Sequence, residues 1–88
     1  MAEIITVGTL ESSDCMVSLK PSDAVTIEID TVVHEAFYHH IKALVEKEIK
    51  ATNLKKIHIT ITDKGALDYT IKARLITAIK RYKESHHG

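Results

Sequence analysis

Four short segments of this 88-residue chain alternate apolar and polar side chains, and this period-two pattern constrains the fold most strongly. The segments lie around Ile4 to Val7, at Cys15, Val17 and Leu19, at Val25, Ile27 and Ile29, and at Ile57, Ile59 and Ile61. Because alternation puts the apolar residues on one face of a strand, each segment is predicted to be a half-buried strand. We therefore expect a small sheet of about four strands.

Two later stretches repeat their apolar residues every three or four positions, which predicts two amphipathic helices. The first helix is expected from about residue 32 to 51, with Asp30 or Thr31 as its cap and Asn53 at its end. Its apolar stripe is Val33, Phe37, Ile41, Leu44, Val45 and Ile49. The second stripe is Leu67, Ile71, Leu75, Ala78, Ile79 and Tyr82, and the polar residues 84–88 are expected to form a frayed tail.

The order β-β-β-α-β-α predicts the fold class. Small and polar residues at 8–14 indicate a hairpin between the first two strands, and the first helix joins the third and fourth strands in parallel. Each helix has one apolar stripe, so both are expected to cover the same face of a mixed sheet. The prediction is a two-layer α+β fold in one domain, residues 1–88, because a second core does not fit in this length.

Charge and hydropathy exclude several classes of protein. Twelve Lys and Arg balance twelve Asp and Glu, whereas a general nucleic-acid binder needs a basic surplus. The apolar runs are far shorter than the roughly 20 residues that cross a bilayer, and the N-terminus lacks the pattern of a signal peptide. We therefore expect a cytoplasmic protein that binds neither nucleic acid nor membrane.

Metal and catalytic sites are not predicted. His34, His39 and His40 lack the i, i+4 spacing that pairs ligands on one helix face, and no Cys/His set has zinc-site spacing. Cys15 is in phase with Val17, which predicts a small buried residue rather than a nucleophile.

Ser12 and Ser13 stand at the centre of the predicted hairpin loop, between Glu11 and Asp14. Serine and aspartate are common turn formers, so one interpretation of this segment is purely structural. The other is that an exposed serine, with no lysine or histidine beside it in the sequence, accepts a group from another enzyme. The residues alone leave both interpretations open.

Two blocks of the sequence resemble the acyl carrier protein of citrate lyase, its gamma subunit. The first is residues 8–14, GTLESSD, followed by Met16 and Val17, and the second is residues 63–68, DKGALD, which continues through Arg74. Residues 27–30 lie between the blocks as they do in that family. The resemblance implies a single acyl carrier domain, and the second block favours citrate lyase over the similar carrier of malonate decarboxylase.

This resemblance implies a covalent prosthetic group, 2'-(5''-phosphoribosyl)-3'-dephospho-coenzyme A, joined through a phosphodiester to the first serine after Thr-Leu-Glu. That serine maps onto Ser12, whereas some members carry glycine at the position of Ser13. Gly8, Glu11 and Asp14 complete the attachment loop. In the family, the alpha subunit exchanges acetyl for citrate on the group and the beta subunit cleaves the citryl thioester, so the carrier itself is not catalytic.

The same resemblance implies partners: the citrate lyase alpha and beta subunits, and the transferase that attaches the group, holo-citrate lyase synthase. Asp63 is expected to cap the second helix, and Lys64 and Arg74 are candidates for contacts with cofactor phosphates or a partner subunit. Two alternatives remain beside citrate lyase. One is the malonate decarboxylase carrier, and the other is a small assembly or regulatory domain in which Ser12 stays unmodified.

Overall fold

A computed structural model describes residues 4–32 and 35–86, which form four strands and two helices. The elements are β1 (Ile5–Gly8), β2 (Cys15–Pro21), β3 (Thr26–Thr31), α1 (Glu35–Thr52), β4 (Ile57–Asp63) and α2 (Asp68–His86). This element order is the predicted one, and the α+β class is confirmed.

The sheet has the strand order β1-β2-β4-β3. β1 and β2 form the predicted antiparallel hairpin, and β3 and β4 are parallel as expected for strands joined through a helix. The sequence left the side on which the hairpin packs undetermined. In the structure β2 pairs antiparallel with β4, so β1 and β3 are the two edge strands.

One row of apolar residues crosses all four strands and carries the core. Val7 pairs with Val17, Val17 pairs with Ile61, and Ile61 pairs with Ile29. From the helices, the buried side chains on this face are Ile41, Val45 and Ile49 of α1 and Ile71, Leu75, Ala78, Ile79 and Tyr82 of α2. Each fully buried aliphatic side chain contributes about 1.5–3 kcal/mol, so this layer stabilises the sheet that presents the loops.

The ends of α1 agree only in part with the sequence prediction. Asn53 has a φ of 62°, the left-handed conformation that ends helices, so the predicted stop is confirmed. The predicted start is wrong at Val32, which is not helical, while Val33 lies outside the described residues. Neither Asp30 nor Thr31 caps the helix, because both still belong to β3, where the Thr31 hydroxyl donates to Asp63 at 2.8 Å.

Three predictions at α2 need correction. Asp63 does not cap this helix, because α2 begins five positions later at Asp68 and the Leu67 carbonyl accepts from the Thr70 and Ile71 amides. Leu67 precedes the helix and is 60% exposed, so it is not a core residue. The helix also continues to His86, well into the segment expected to be a tail.

Candidate functional site

The β1–β2 connection begins at a glycine that no other residue can replace without strain. Gly8 has a φ of 102°, and a Cβ atom built there would lie 2.0 Å from the Cys15 carbonyl oxygen. The Thr9 amide donates to that same carbonyl at 3.2 Å. The chain therefore leaves β1 in close contact with the first residue of β2, which sets the base of the loop.

Ser12 and Ser13 form the tip of this loop. The Asp14 amide donates to the Glu11 carbonyl at 3.1 Å, which closes a β-turn around the two serines. Both are exposed, and Ser13 has a φ of 67°, in the left-handed region that glycine adopts most readily. Within the described residues the Ser12 hydroxyl has no hydrogen-bond partner, so its oxygen is available to a ligand or an enzyme.

Asp14 holds the base of the loop through both carboxylate oxygens. Oδ1 accepts from the Cys15 amide at 2.7 Å and from Arg74 Nε at 3.1 Å. Oδ2 accepts from the Thr9 hydroxyl at 2.6 Å and from Arg74 Nη2 at 2.8 Å. These bonds hold the pKa of Asp14 well below its ordinary value, Arg74 having the largest effect. The carboxylate raises the pKa of Arg74 in return, so the pair stays ionised.

The loop is also tied to the connection between β4 and α2. The Ser13 amide donates to the Lys64 carbonyl at 2.8 Å, and the Lys64 amide donates to the Asp14 carbonyl at 2.9 Å. The structure thus brings Lys64 and Arg74, two of the predicted site residues, against the predicted attachment loop. It uses the Lys64 backbone and the Arg74 guanidinium to hold the loop in place.

A buried aspartate fixes the conformation of the β4–α2 connection. Asp63 is 2% exposed; its Oδ1 accepts from the Ala66 amide at 2.9 Å, and its Oδ2 accepts from the Thr31 hydroxyl. The Val32 amide donates to the Asp63 carbonyl at 3.3 Å. The aspartate that we expected to cap α2 instead joins the end of β3 to the turn that contacts the β1–β2 loop.

Cys15 is the first residue of β2, directly after the loop, and its thiol is unreactive. Its side chain is fully buried, as its phase with Val17 predicted. Burial, assisted by the negative charges of Asp14 and Asp63, raises the pKa of the thiol to about 11. The thiol is protonated at neutral pH and does not act as a nucleophile.

The sequence predicted the loop but not what fixes it. Turn propensity does not indicate the hydrogen bond from Thr9 to Asp14, and the pairing of Asp14 with Arg74 spans 60 positions, so no local spacing indicates it. Across 4–32 and 35–86, no three His, Cys, Asp or Glu residues lie together as a metal site. No helix in these ranges is long and apolar enough to span a membrane.

Comparison with known proteins identifies the class. An acyl carrier protein family model, described as the malonate decarboxylase delta subunit (MdcD), matches residues 3–82. The citrate lyase acyl carrier protein of Streptococcus mutans is 43% identical over 76 residues, which cover 84% of this chain and 74% of that protein. The one from Halothermothrix orenii is 41% identical over 75 residues, covering 84% and 80%. The one from Streptococcus equi subsp. equi is 38% identical over 87 residues, covering 97% and 85%.

A solved structure agrees with the fold. One chain of a Pseudomonas malonate decarboxylase hetero-tetramer, crystallised in complex with malonate, superposes with a TM-score of 0.75 over 92% of this chain and 95% of that one. At 20% identity this match shows the fold alone. The family model and the relatives together define an acyl carrier protein. Within that class, the chain belongs to the family of citrate lyase acyl carrier proteins.

Proposed function

We propose that this chain is the acyl carrier subunit of citrate lyase and that Ser12 carries 2'-(5''-phosphoribosyl)-3'-dephospho-coenzyme A through a phosphodiester. The observation that carries this proposal is an exposed, unbonded serine hydroxyl at the tip of a loop whose base is fixed by Asp14 and Arg74. The holo-citrate lyase synthase attaches the group, and the alpha and beta subunits then act in turn on the acyl group that the carrier presents.

The residues around Ser12 fit a group that is rich in phosphate. Arg74 uses Nε and Nη2 on Asp14, and a guanidinium has five N–H donors, so its Nη1 donors remain for a phosphate. The Lys64 backbone bonds to the loop, and its side chain brings a second positive charge to this part of the chain. Because Arg74 neutralises Asp14, that carboxylate does not repel the phosphodiester. When bound, the prosthetic group supplies the thiol that holds acyl groups.

The chain contributes position rather than catalysis in this proposal. Activation of a serine requires a base within hydrogen-bond distance, and no described residue bonds the Ser12 hydroxyl. The buried Cys15 thiol, with its raised pKa, offers no alternative nucleophile. A fixed loop base with an exposed tip instead keeps a tethered acyl group at high effective concentration for two enzyme sites.

The malonate decarboxylase carrier is the second candidate. The family description and the hetero-tetramer structure favour it, but the structural match has 20% identity, whereas the citrate lyase relatives have 38–43%. An unmodified assembly domain is the third. It leaves the exposed serine at the tip of a fixed loop without a role.

Reconstitution of citrate lyase tests the proposal. Ser12→Ala is expected to fold normally, to bind the alpha and beta subunits and to support no citrate cleavage after treatment with the transferase. Ser13→Gly is the matched control and is expected to support cleavage, because glycine suits the positive φ at that position. Full activity of the Ser12→Ala carrier would overturn the proposal. Activity only in a malonate decarboxylase reconstitution would assign the chain to the second candidate.

A further inference from the structure

A groove lies at the opposite end of the molecule from Ser12. It has a volume of about 1030 Å³ and runs between the C-terminal half of α1 and the start of β3. The attachment loop meets the other end of the sheet, where Cys15 pairs with Asp63. β4, of seven residues, runs from the groove end to the loop end. The two sites are therefore separated by about 20 Å along the strands.

The rim of this groove is strongly basic. Lys42, Lys47 and Lys50 of α1 and Lys55 of the following loop line it, against a single acidic residue, Glu46. All five side chains are exposed. The whole chain has no net charge, so this surface concentrates positive charge that the remainder of the molecule balances elsewhere. Such a local field attracts an acidic partner.

The floor of the groove is apolar. Val25, Ile27, Ile49 and Leu54 line it, and Val25 is 39% exposed although it begins the alternating pattern of the third strand. β3 is an edge strand, so its outer side pairs with no other strand of this sheet. Apolar contacts beneath a ring of lysines suit an occupant with both carboxylates and apolar side chains.

The arrangement of the lysines favours a polypeptide over a small anion. Lys42 and Lys50 lie on one helix about 12 Å apart along its axis, whereas a phosphate site gathers its donors around one point. The groove also lies beside the C-terminal end of α1, which lacks the free backbone N–H groups that bind phosphate at a helix N-terminus. Carboxylates spaced along a chain match lysines spaced along a helix.

We infer that this groove, formed by the C-terminal half of α1, the following loop and the start of β3, docks an acidic, partly apolar segment of a citrate lyase subunit. The inference rests on the proposed function for the identity of the partner. It gives the carrier two separate ends: one anchors the domain to the complex and the other presents Ser12. The docked segment leaves the attachment loop uncovered.

The test compares two charge-reversed carriers. The groove variant is Lys47→Glu with Lys55→Glu, and its control, with the same change in net charge, is Lys20→Glu with Lys80→Glu on other exposed surfaces. Affinity of the unmodified carriers for the isolated alpha and beta subunits is measured at low and high salt. The groove variant is expected to bind one subunit at least about tenfold more weakly than wild type, and the control within about twofold.

Carbodiimide cross-linking of the wild-type complex, followed by peptide mapping, is expected to join a groove lysine to an Asp or Glu of that subunit. Intact mass after transferase treatment separates this test from that of the proposed function, since both variants keep Ser12 and are expected to gain the group. Equal affinity of wild type and groove variant, or no binding of the wild type to either subunit, would overturn the docking inference even when Ser12 is modified. Failure of every carrier to gain mass would instead count against the proposed function.

Discussion

Arg74 donates two parallel hydrogen bonds to Asp14, from Nε to Oδ1 at 3.1 Å and from Nη2 to Oδ2 at 2.8 Å. This planar two-point contact fixes the direction of the carboxylate, which a single lysine does not do. The same carboxylate accepts from Thr9 and from the Cys15 amide. Helix α2 thereby sets the position of a loop that is distant in the sequence and whose tip is exposed.

Removal of the guanidinium is expected to loosen the loop without unfolding the domain. In Arg74→Ala, exchange of the Ser13 and Cys15 amides is predicted to accelerate about tenfold, since both amides bond within the network that Arg74 completes. Arg81→Ala, at an exposed position of the same helix, is the control. Hydrogen exchange followed by NMR measures both. Unchanged exchange in Arg74→Ala would show that the loop holds its shape without the ion pair.

The lowered pKa of Asp14 predicts how stability depends on pH. A carboxylate whose folded pKa lies below its ordinary value of 3.8 stabilises the fold fully above that value and loses this contribution as the pH falls below it. The wild-type free energy of unfolding is therefore expected to fall more steeply than that of Asp14→Asn between about pH 4 and pH 2. Urea denaturation at a series of pH values measures the two slopes. Equal slopes for the wild type and Asp14→Asn would contradict the stabilising role of the ionised Asp14 carboxylate.

The close contact at Gly8 predicts a specific cost for a side chain there. Gly8→Ala places a Cβ against the Cys15 carbonyl and is expected to lower the free energy of unfolding by about 2–4 kcal/mol. Gly65→Ala is the matched control, because Gly65 also has a positive φ, of 94°, but no atom within 4 Å of the added Cβ. Gly65→Ala is expected to lower the free energy of unfolding by about 1 kcal/mol. Equal losses in urea denaturation would mean that backbone conformation, rather than the contact, makes Gly8 necessary.

Burial of Cys15 predicts its reactivity. The thiol is inaccessible and its pKa is raised to about 11, so an aromatic disulfide reagent at mildly alkaline pH is expected to label the folded protein very slowly. Labelling should become rapid in urea. Rapid labelling of the folded chain, followed by absorbance, would contradict both the burial and the inert role assigned to this residue.

Most of the fold could be predicted from the sequence because the apolar residues of its strands and helices recur at regular intervals. Val17 and Ile61 follow strict alternation and are both fully buried, and the order of the elements required β3 and β4 to be parallel. The element boundaries were less predictable. Leu67 fits the period of α2 but precedes it, because the Asp63 turn occupies the residues before the helix.

Only those parts of the candidate site that are formed by residues close together in the sequence could be predicted. Turn-forming residues placed Ser12 and Ser13 in a loop, and the structure gives Ser13 a positive φ, the conformation that glycine adopts most readily. The bonds that fix the loop join Asp14 to Arg74 and Ser13 to Lys64. Such contacts depend on which strands are neighbours, and the sequence left open where the hairpin lies in the sheet.

Intact mass with peptide mapping tests the central claim most directly. The wild-type chain is produced in cells with and without the transferase that attaches the prosthetic group, alongside Ser12→Ala. We predict that phosphoribosyl dephospho-coenzyme A is added only with the transferase, that the modified peptide carries it on Ser12, and that Ser12→Ala gains nothing. With no tryptophan and three tyrosines, the chain absorbs weakly, so adenine absorbance checks the same addition. An unmodified wild-type chain in the presence of the transferase, or addition to Ser12→Ala, would contradict the account.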